Sequence, residues 1–157
     1  MILYIFYKSG ELKAPIWTIA LFAFCFSLYS QTDQHRWKPL IVSESQKFWY
    51  DGLTLDKMEG DKADIWVLQM HKPPLSFDGI KGEILRSKTL YAIDLKTVRY
   101  GIQEVVYFDA ANKELYRHNY ANVKLEDKYK YTYPVLEDSF MYALVKEIIR
   151  VKGTKKQ

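Results

Sequence analysis

Between Ser87 and Tyr100 the chain reads SKTLYAIDLKTVRY, which sets one acid (Asp94), three bases (Lys88, Lys96, Arg99) and two tyrosines close together. Such a mixture could move a proton, or it could be the wet side of a strand. Asp94 and Lys96 would share a face if the strand runs that far, but exposed pairs of this kind are mostly solvated and worth less than about 1 kcal/mol. Ser87 and Lys88 are adjacent, so a strand points them to opposite faces, poor geometry for a nucleophile and its base. No GxSxG, Ser-x-x-Lys or glycine-rich phosphate loop occurs. Glu104 falls in the apolar phase of its neighbours, between Ile102 and Val106. It therefore marks a bulge or an exposed edge, with a raised-pKa carboxylic acid as the alternative.

Metal chemistry has little to work with. His35, His71 and His118 are far apart, and none has a second ligand at a useful spacing. Asp51, Asp56, Asp61 and Asp64 cluster within DGLTLDKMEGDKAD, yet the alternating acids, glycine and distal glutamate of a calcium loop are absent. A hairpin turn and strand ends account for the four aspartates. No metal and no cofactor is expected. Tyr129, Tyr131 and Tyr133 share one face of KYKYTY, with Lys128 and Lys130 on the other. That pattern suits core tyrosines behind a wet lysine row, or equally a binding strip, because tyrosine supplies contact area at low entropic cost.

The elements that must carry these residues follow from periodicity. KFWYDGLTLD and IWVLQM read as the two strands of a hairpin around a polar turn containing Gly60. HKPPLSFDGIKGE, with two prolines and two glycines, reads as the longest loop. Tyr91, Ile93 and Leu95 alternate with Leu90, Ala92 and Asp94, so the first three share a face. Beyond Lys96 the apolar phase moves to Val98, Tyr100 and Ile102, which calls for a turn or bulge between Asp94 and Thr97. DAANKE is another turn, and LYRHNYANVKL and KYKYTY read as further alternating strands. After Pro134 the pattern becomes helical: Phe140, Leu144 or Ala143, Ile148 and Val151 form one stripe. Glu137 and Asp138 stand at its start, and Lys146, Arg150 and Lys152 approach its end at Gly153. The fold class is α+β, an antiparallel meander of about five to seven strands with one C-terminal amphipathic helix packed on a sheet face.

With 48% hydrophobic and 27% charged residues over 157 positions, the chain has the composition of one globular domain. Residues 1–30 differ: uncharged APIWTIALFAFCFSLYS follows Lys8, Glu11 and Lys13, as in a signal peptide cleaved near Ser30 and Gln31. The apolar run is short for a spanning helix, so no stable membrane span is expected after cleavage. The one cysteine, Cys25, lies inside this segment behind Phe24, a poor context for lipid attachment. The mature chain then has no thiol nucleophile, disulfide or cysteine-held metal. Residues 31–46 read as a leader, 47–152 as the domain and 153–157 as a basic tail. The formal net charge of +4 is modest, and several bases sit at the C-terminal end, so nucleic acid is not an expected partner.

The order of landmarks, FWYDGLTLDKMEGDKADIWVLQ, RSKTLYAIDLKTVRY, VVYFDAANKELY, a proline and a closing helix, resembles the bacterial surface-adhesin protein E-like family over about Lys47 to Val151. Members of that family look like an aromatic-aromatic-Asp strand, matched by Trp49, Tyr50 and Asp51, and a second strand with a central tryptophan, matched by Trp66. A Ser-Lys lead into Y-x-I-D-C follows, matched by Ser87, Lys88, Tyr91, Ile93 and Asp94, with Arg99 soon after. A Y-D-x-x-G hairpin is approximated by Tyr107 and Asp109, with Phe108 inserted and Asn112 in place of glycine. Leu95 stands where the family has cysteine, and Ile148 or Ile149 where its partner would fall. Losing both removes roughly 2 to 4 kcal/mol of cross-link stabilisation, and apolar packing, expected between Leu95 and the helix, must offset part of it.

The resemblance implies an exported, non-enzymatic binding or structural module of the periplasm or cell surface, with extracellular or envelope proteins as its expected partners. No catalytic residue is expected; Arg86, Lys88, Lys96 and Arg99 form the candidate binding patch. One alternative is a small periplasmic hydrolase using carboxylates such as Asp51 and Glu104, which needs the two about 5 to 10 Å apart across one cleft. Another is an inhibitor or chaperone that pairs through an exposed sheet edge.

Overall fold

The structure, a computed structural model, describes residues 36–58, 60–120 and 130–154. The segment expected to be a signal peptide, with Cys25, together with His35, Lys128, Tyr129 and the residues beyond Thr154, lies outside the described residues. Among the described residues seven strands form one antiparallel sheet: β1 (Trp37–Val42), β2 (Lys47–Asp51), β3 (Lys62–Leu75), β4 (Ile84–Asp94), β5 (Arg99–Phe108), β6 (Glu114–Asn119) and β7 (Tyr133–Pro134). The first six follow one another in space, and β7 pairs with the start of β5. A short helix α1 (Gly52–Asp56) joins β2 to β3, and the long helix α2 (Phe140–Thr154) closes the chain. Among the described residues no helix is long and apolar enough to cross a membrane.

Register assigns the faces. Ile93 pairs with Ala63 on one side and Tyr100 on the other, while Tyr91 pairs with Ile65 and Ile102. Phe48, Tyr50, Ile65, Val67 and Ile93 from this face pack with Met141, Leu144, Val145 and Ile148 of α2 in one buried cluster. The expected stripe is present, with Met141 and Val145 added to it. Ser139 starts the helix: its Oγ accepts from the Tyr142 amide at 3.1 Å, and the Ala143 amide bonds back to the Ser139 carbonyl at 3.2 Å. Leu95 packs against the rim of the cluster and shares a shallow groove with Ile149 and Lys152 of α2. Ile148 is fully buried and Ile149 is exposed.

Several expectations change. The stretch read as a leader contains β1, because Trp37–Val42 pairs with β2 along most of its length. His71–Leu75, read as loop, continues β3, although pairing is interrupted between Met70 and Leu75. The prolines are tolerated there because the ladder is already broken. Gly153 does not stop α2, which runs on through Thr154. Of the described residues of KYKYTY, only Tyr133 lies in a strand: Tyr131 is buried, while Tyr133 is half exposed and rests on Tyr100 at 5.5 Å. A Cβ on Gly101 would collide with the Lys130 carbonyl oxygen, so the chain crosses the sheet hard against that glycine. Gly101 and its partner Ala92 alternate with Tyr100 and Ile93, which places the crossing on the face away from α2.

The turn at Leu95–Val98 is where the phase change required it. Asp94 Oδ1 accepts from the Lys96 amide at 2.9 Å and the Thr97 amide at 3.3 Å, an aspartate-closed turn. Desolvation is the largest single influence on Asp94 and opposes its ionisation, but the Thr97 side chain, the two amides and the Lys62 charge together outweigh it and hold the carboxyl below its usual range. Asn112 takes a φ of 65° in the next turn, the left-handed conformation that asparagine tolerates best after glycine.

Candidate functional site

Beyond the reach of α2, the same face of the sheet carries a row of rings. Thr89 pairs with Val105, and Ser87 with Tyr107, so these four continue the face of Tyr91 and Ile93. Tyr107 pairs with Tyr116 of β6. Tyr116, His118 and Tyr120 are two residues apart along an extended chain, so they fall on one side. Their rings touch in succession: Tyr107 to Tyr116 at 6.0 Å, Tyr116 to His118 at 6.3 Å and His118 to Tyr120 at 4.3 Å. From the loop after β3, Phe77 reaches the Tyr107 ring at 5.8 Å. Phe77, Asp78, Gly79, Ile80, Val105, Tyr107, Tyr116 and Tyr120 together enclose an open cleft of about 380 Å³. That is within the size range of small-ligand pockets. Phe77, Tyr116 and Tyr120 are 47%, 39% and 44% exposed, so part of each side chain is open to a ligand. Burial, then the neighbouring phenols of Tyr120 and Tyr116, hold the Tyr107 hydroxyl above its usual pKa. Tyr107 thus stays a neutral donor.

A bulge makes this arrangement. Tyr91 pairs with Ile102 but Leu90 pairs with Glu104, leaving Gln103 as the extra residue of β5. Past the bulge, odd-numbered Val105 and Tyr107 join even-numbered Tyr100 and Ile102 on the helix side. Glu104 consequently faces the other way. There it is bonded by Arg117 Nη1 and by Asn119 Nδ2, the latter at 3.1 Å, and Arg117 also pairs with Glu114 at 2.8 Å. Glu104 is thereby the acceptor of a strand-to-strand network, not a lone acid.

Beside the cleft, His71 Nε2 lies 3.0 Å from Ser87 Oγ. Burial lowers the His71 pKa, favouring the neutral ring. Ser87 is 5% exposed, so its hydroxyl is shielded from a substrate, and the pair satisfies two polar groups beneath the strand surface. Neither this contact nor the ring row was expected from the sequence. Pairing β3 with β4 brings His71 to Ser87, and only a correct register for the strand through Pro73 would have found it.

The candidate patch divides. Arg86 Nη2 donates to Asn112 Oδ1 at 2.5 Å, and Lys88 Nζ lies 4.5 Å from the Trp66 ring. Arg99, at the far end of β5, donates to the Tyr131 and Thr132 carbonyls at 3.0 and 2.6 Å, tying down the crossing segment. Lys96 sits in the adjoining turn. Arg86 and Lys88 lie eight and six residues along β4 from Asp94, the partner of Arg99, which sets them about 26 and 20 Å from that end. The residues share a strand pair but no common patch.

The carboxylates are likewise apart. Buried Asp51 caps α1, accepting from the Leu53 amide and the Thr54 hydroxyl at 2.9 Å each and from the Arg36 amide at 3.1 Å. Its strand β2 is three strand spacings from β5, about 14 Å, beyond what a shared carboxylate cleft with Glu104 requires. Asp56 pairs with Arg36, Asp61 with Lys152 at 3.0 Å, and Asp64 with Lys130 at 3.8 Å. Turn and strand-end duties thus account for the four aspartates. Among the described residues no group of His, Cys, Asp or Glu could hold a metal ion.

Comparison with protein-family models, with curated proteins and with solved structures found no match to this chain.

Proposed function

We propose that the chain is an exported, non-enzymatic binding module of the periplasm or cell surface, built as its resemblance to the adhesin E-like family implies. Its ligand seat is the aromatic cleft between β5, β6 and the 76–80 loop. The observation that carries this reading is the convergence of Phe77, Tyr107, Tyr116 and Tyr120 on one open cleft. Rings held by a sheet lose little entropy on contact, which is what a binding surface needs. The polar groups beside the cleft, His71 and Ser87, satisfy one another. The basic residues first singled out support the fold at two separate places, so they are secondary to the cleft.

Two measurements test the two halves of the proposal. Residues 1–30 fused to a reporter that is active only outside the cytoplasm should give activity, and a silent fusion refutes export. In NMR spectra of the chain labelled on its tyrosine rings, one or more members of a panel of simple sugars, amino acids and alkylamines should shift the Tyr107, Tyr116 and Tyr120 signals saturably. Tyr116→Leu should then abolish the shift at Tyr107. A panel that moves none of these signals refutes the cleft as a small-ligand seat.

A further inference from the structure

The lining of the cleft is chemically one-sided. Four rings, two aliphatic side chains (Ile80 and Val105) and the carboxylate of Asp78 line it, with no basic residue among them. An anionic ligand would meet the Asp78 carboxylate with no cationic side chain in the lining to neutralise it. A primary ammonium ion keeps a strong hydration shell and wants three acceptors, where the cleft offers one carboxylate and scattered hydroxyls. A quaternary ammonium group differs on each count. Its charge is permanent and spread over methyl groups, it donates no hydrogen bond, and it is attracted to the electron-rich faces of aromatic rings within about 6 Å.

Resting on the reading of this cleft as the ligand seat, we propose that it binds a quaternary alkylammonium group, the trimethylammonium end of a small soluble alcohol of the choline type. Asp78 supplies the countercharge at the mouth, and the methyl groups lie on Phe77, Tyr107, Tyr116 and Tyr120. The free alcohol fits better than a phospholipid headgroup, because phosphocholine carries a phosphate beside the ammonium and the lining has no base to receive it.

The test is a titration of the ring-labelled full chain with choline, phosphocholine and 3,3-dimethylbutan-1-ol, the uncharged isostere of choline. Choline is expected to shift the three tyrosine signals saturably, with the isostere and phosphocholine each weaker by roughly tenfold. Asp78→Asn, a change in an exposed loop, should weaken choline about fivefold and leave the isostere unaffected. Tyr116→Leu should weaken both, and unchanged thermal unfolding would show that neither variant acts through the fold. Equal binding of choline and the isostere overturns the assignment of a cation, and phosphocholine binding as tightly as choline overturns the free alcohol. If choline is inert while a sugar or the isostere shifts the rings, the cation assignment falls and the ligand seat stands. If no probe moves them, both fall.

Discussion

The Tyr50 hydroxyl donates to Glu147 Oε1 at 2.6 Å, joining the second strand to the closing helix across 97 residues of sequence. Arg150 completes the contact, donating from Nε to Oε2 at 2.7 Å and from Nη2 to Oε1 at 2.8 Å. The Arg150 bonds first, then the Tyr50 bond, overcome desolvation and bring the Glu147 pKa down to about 2. Burial first, then the same bond, pushes Tyr50 up to about 12, so it remains a donor.

A carboxylate with a depressed folded-state pKa adds stability above its unfolded pKa and loses it as pH falls toward the folded value. Glu147 should therefore stabilise the domain fully above about pH 5 and progressively less between there and pH 2. Because solvent screens part of the contact, Glu147→Gln should cost about 1 kcal/mol in urea unfolding at pH 7 and close to nothing near pH 2. An equal cost at both pH values would show that the charge is irrelevant.

Ile148 and Ile149 are neighbours with opposite fates, one fully buried against the sheet and one exposed. Ile148→Ala should destabilise the domain by about 2 to 5 kcal/mol through lost burial and a residual cavity. Ile149→Ala should change stability by less than about 0.5 kcal/mol. Comparable losses in thermal unfolding would mean that the helix is rotated from the position described.

Gly101 has no room for a side chain, since the Lys130 carbonyl oxygen occupies the place of its Cβ. Gly101→Ala should either cost about 2 kcal/mol or more or lift the crossing segment off the sheet. Limited proteolysis distinguishes them: a lifted segment becomes a cleavage site near Tyr131. A variant as stable and as resistant as the parent contradicts the close crossing.

Asp51 caps α1 while buried at 3% exposure. Asp51→Ala should cost about 1 to 2 kcal/mol, and Asp51→Asn, which keeps an acceptor for the Leu53 amide, clearly less. Equal losses in chemical unfolding would place the effect on charge, not capping.

What the sequence made legible was periodic and local. Tyr91, Ile93 and Leu95 on one face, the turn after Asp94 and the stripe of the last helix each follow from spacing within a few residues. Glu104 was recognisable as out of phase, and a bulge does lie next to it. The ring row was not legible, because it joins Phe77 from a loop, Tyr107 from β5 and Tyr116 from β6, and no single segment shows that meeting. Tyr131 and Tyr133 misled for the complementary reason: the alternation of KYKYTY is real, but the chain passes over Gly101 and leaves the two tyrosines in different surroundings. Arg86 and Arg99, close in sequence, were separated by the extension of the strand between them.

The bulge at Gln103 has a consequence for how such a surface arises. Val105-Val106-Tyr107-Phe108 is apolar in both phases, so hydrophobic burial alone would accept either alignment of β5 with its neighbours. Were Gln103 drawn into the ladder, Glu104 and Phe108 would take the helix side and Tyr107 would leave it. The choice falls to hydrophilic residues: Gln103 bonds Asp64, while Glu104 takes Arg117 and Asn119. A lineage carrying this scaffold can thus open or abolish the aromatic cleft by altering a polar neighbour, with every ring in the sequence left untouched.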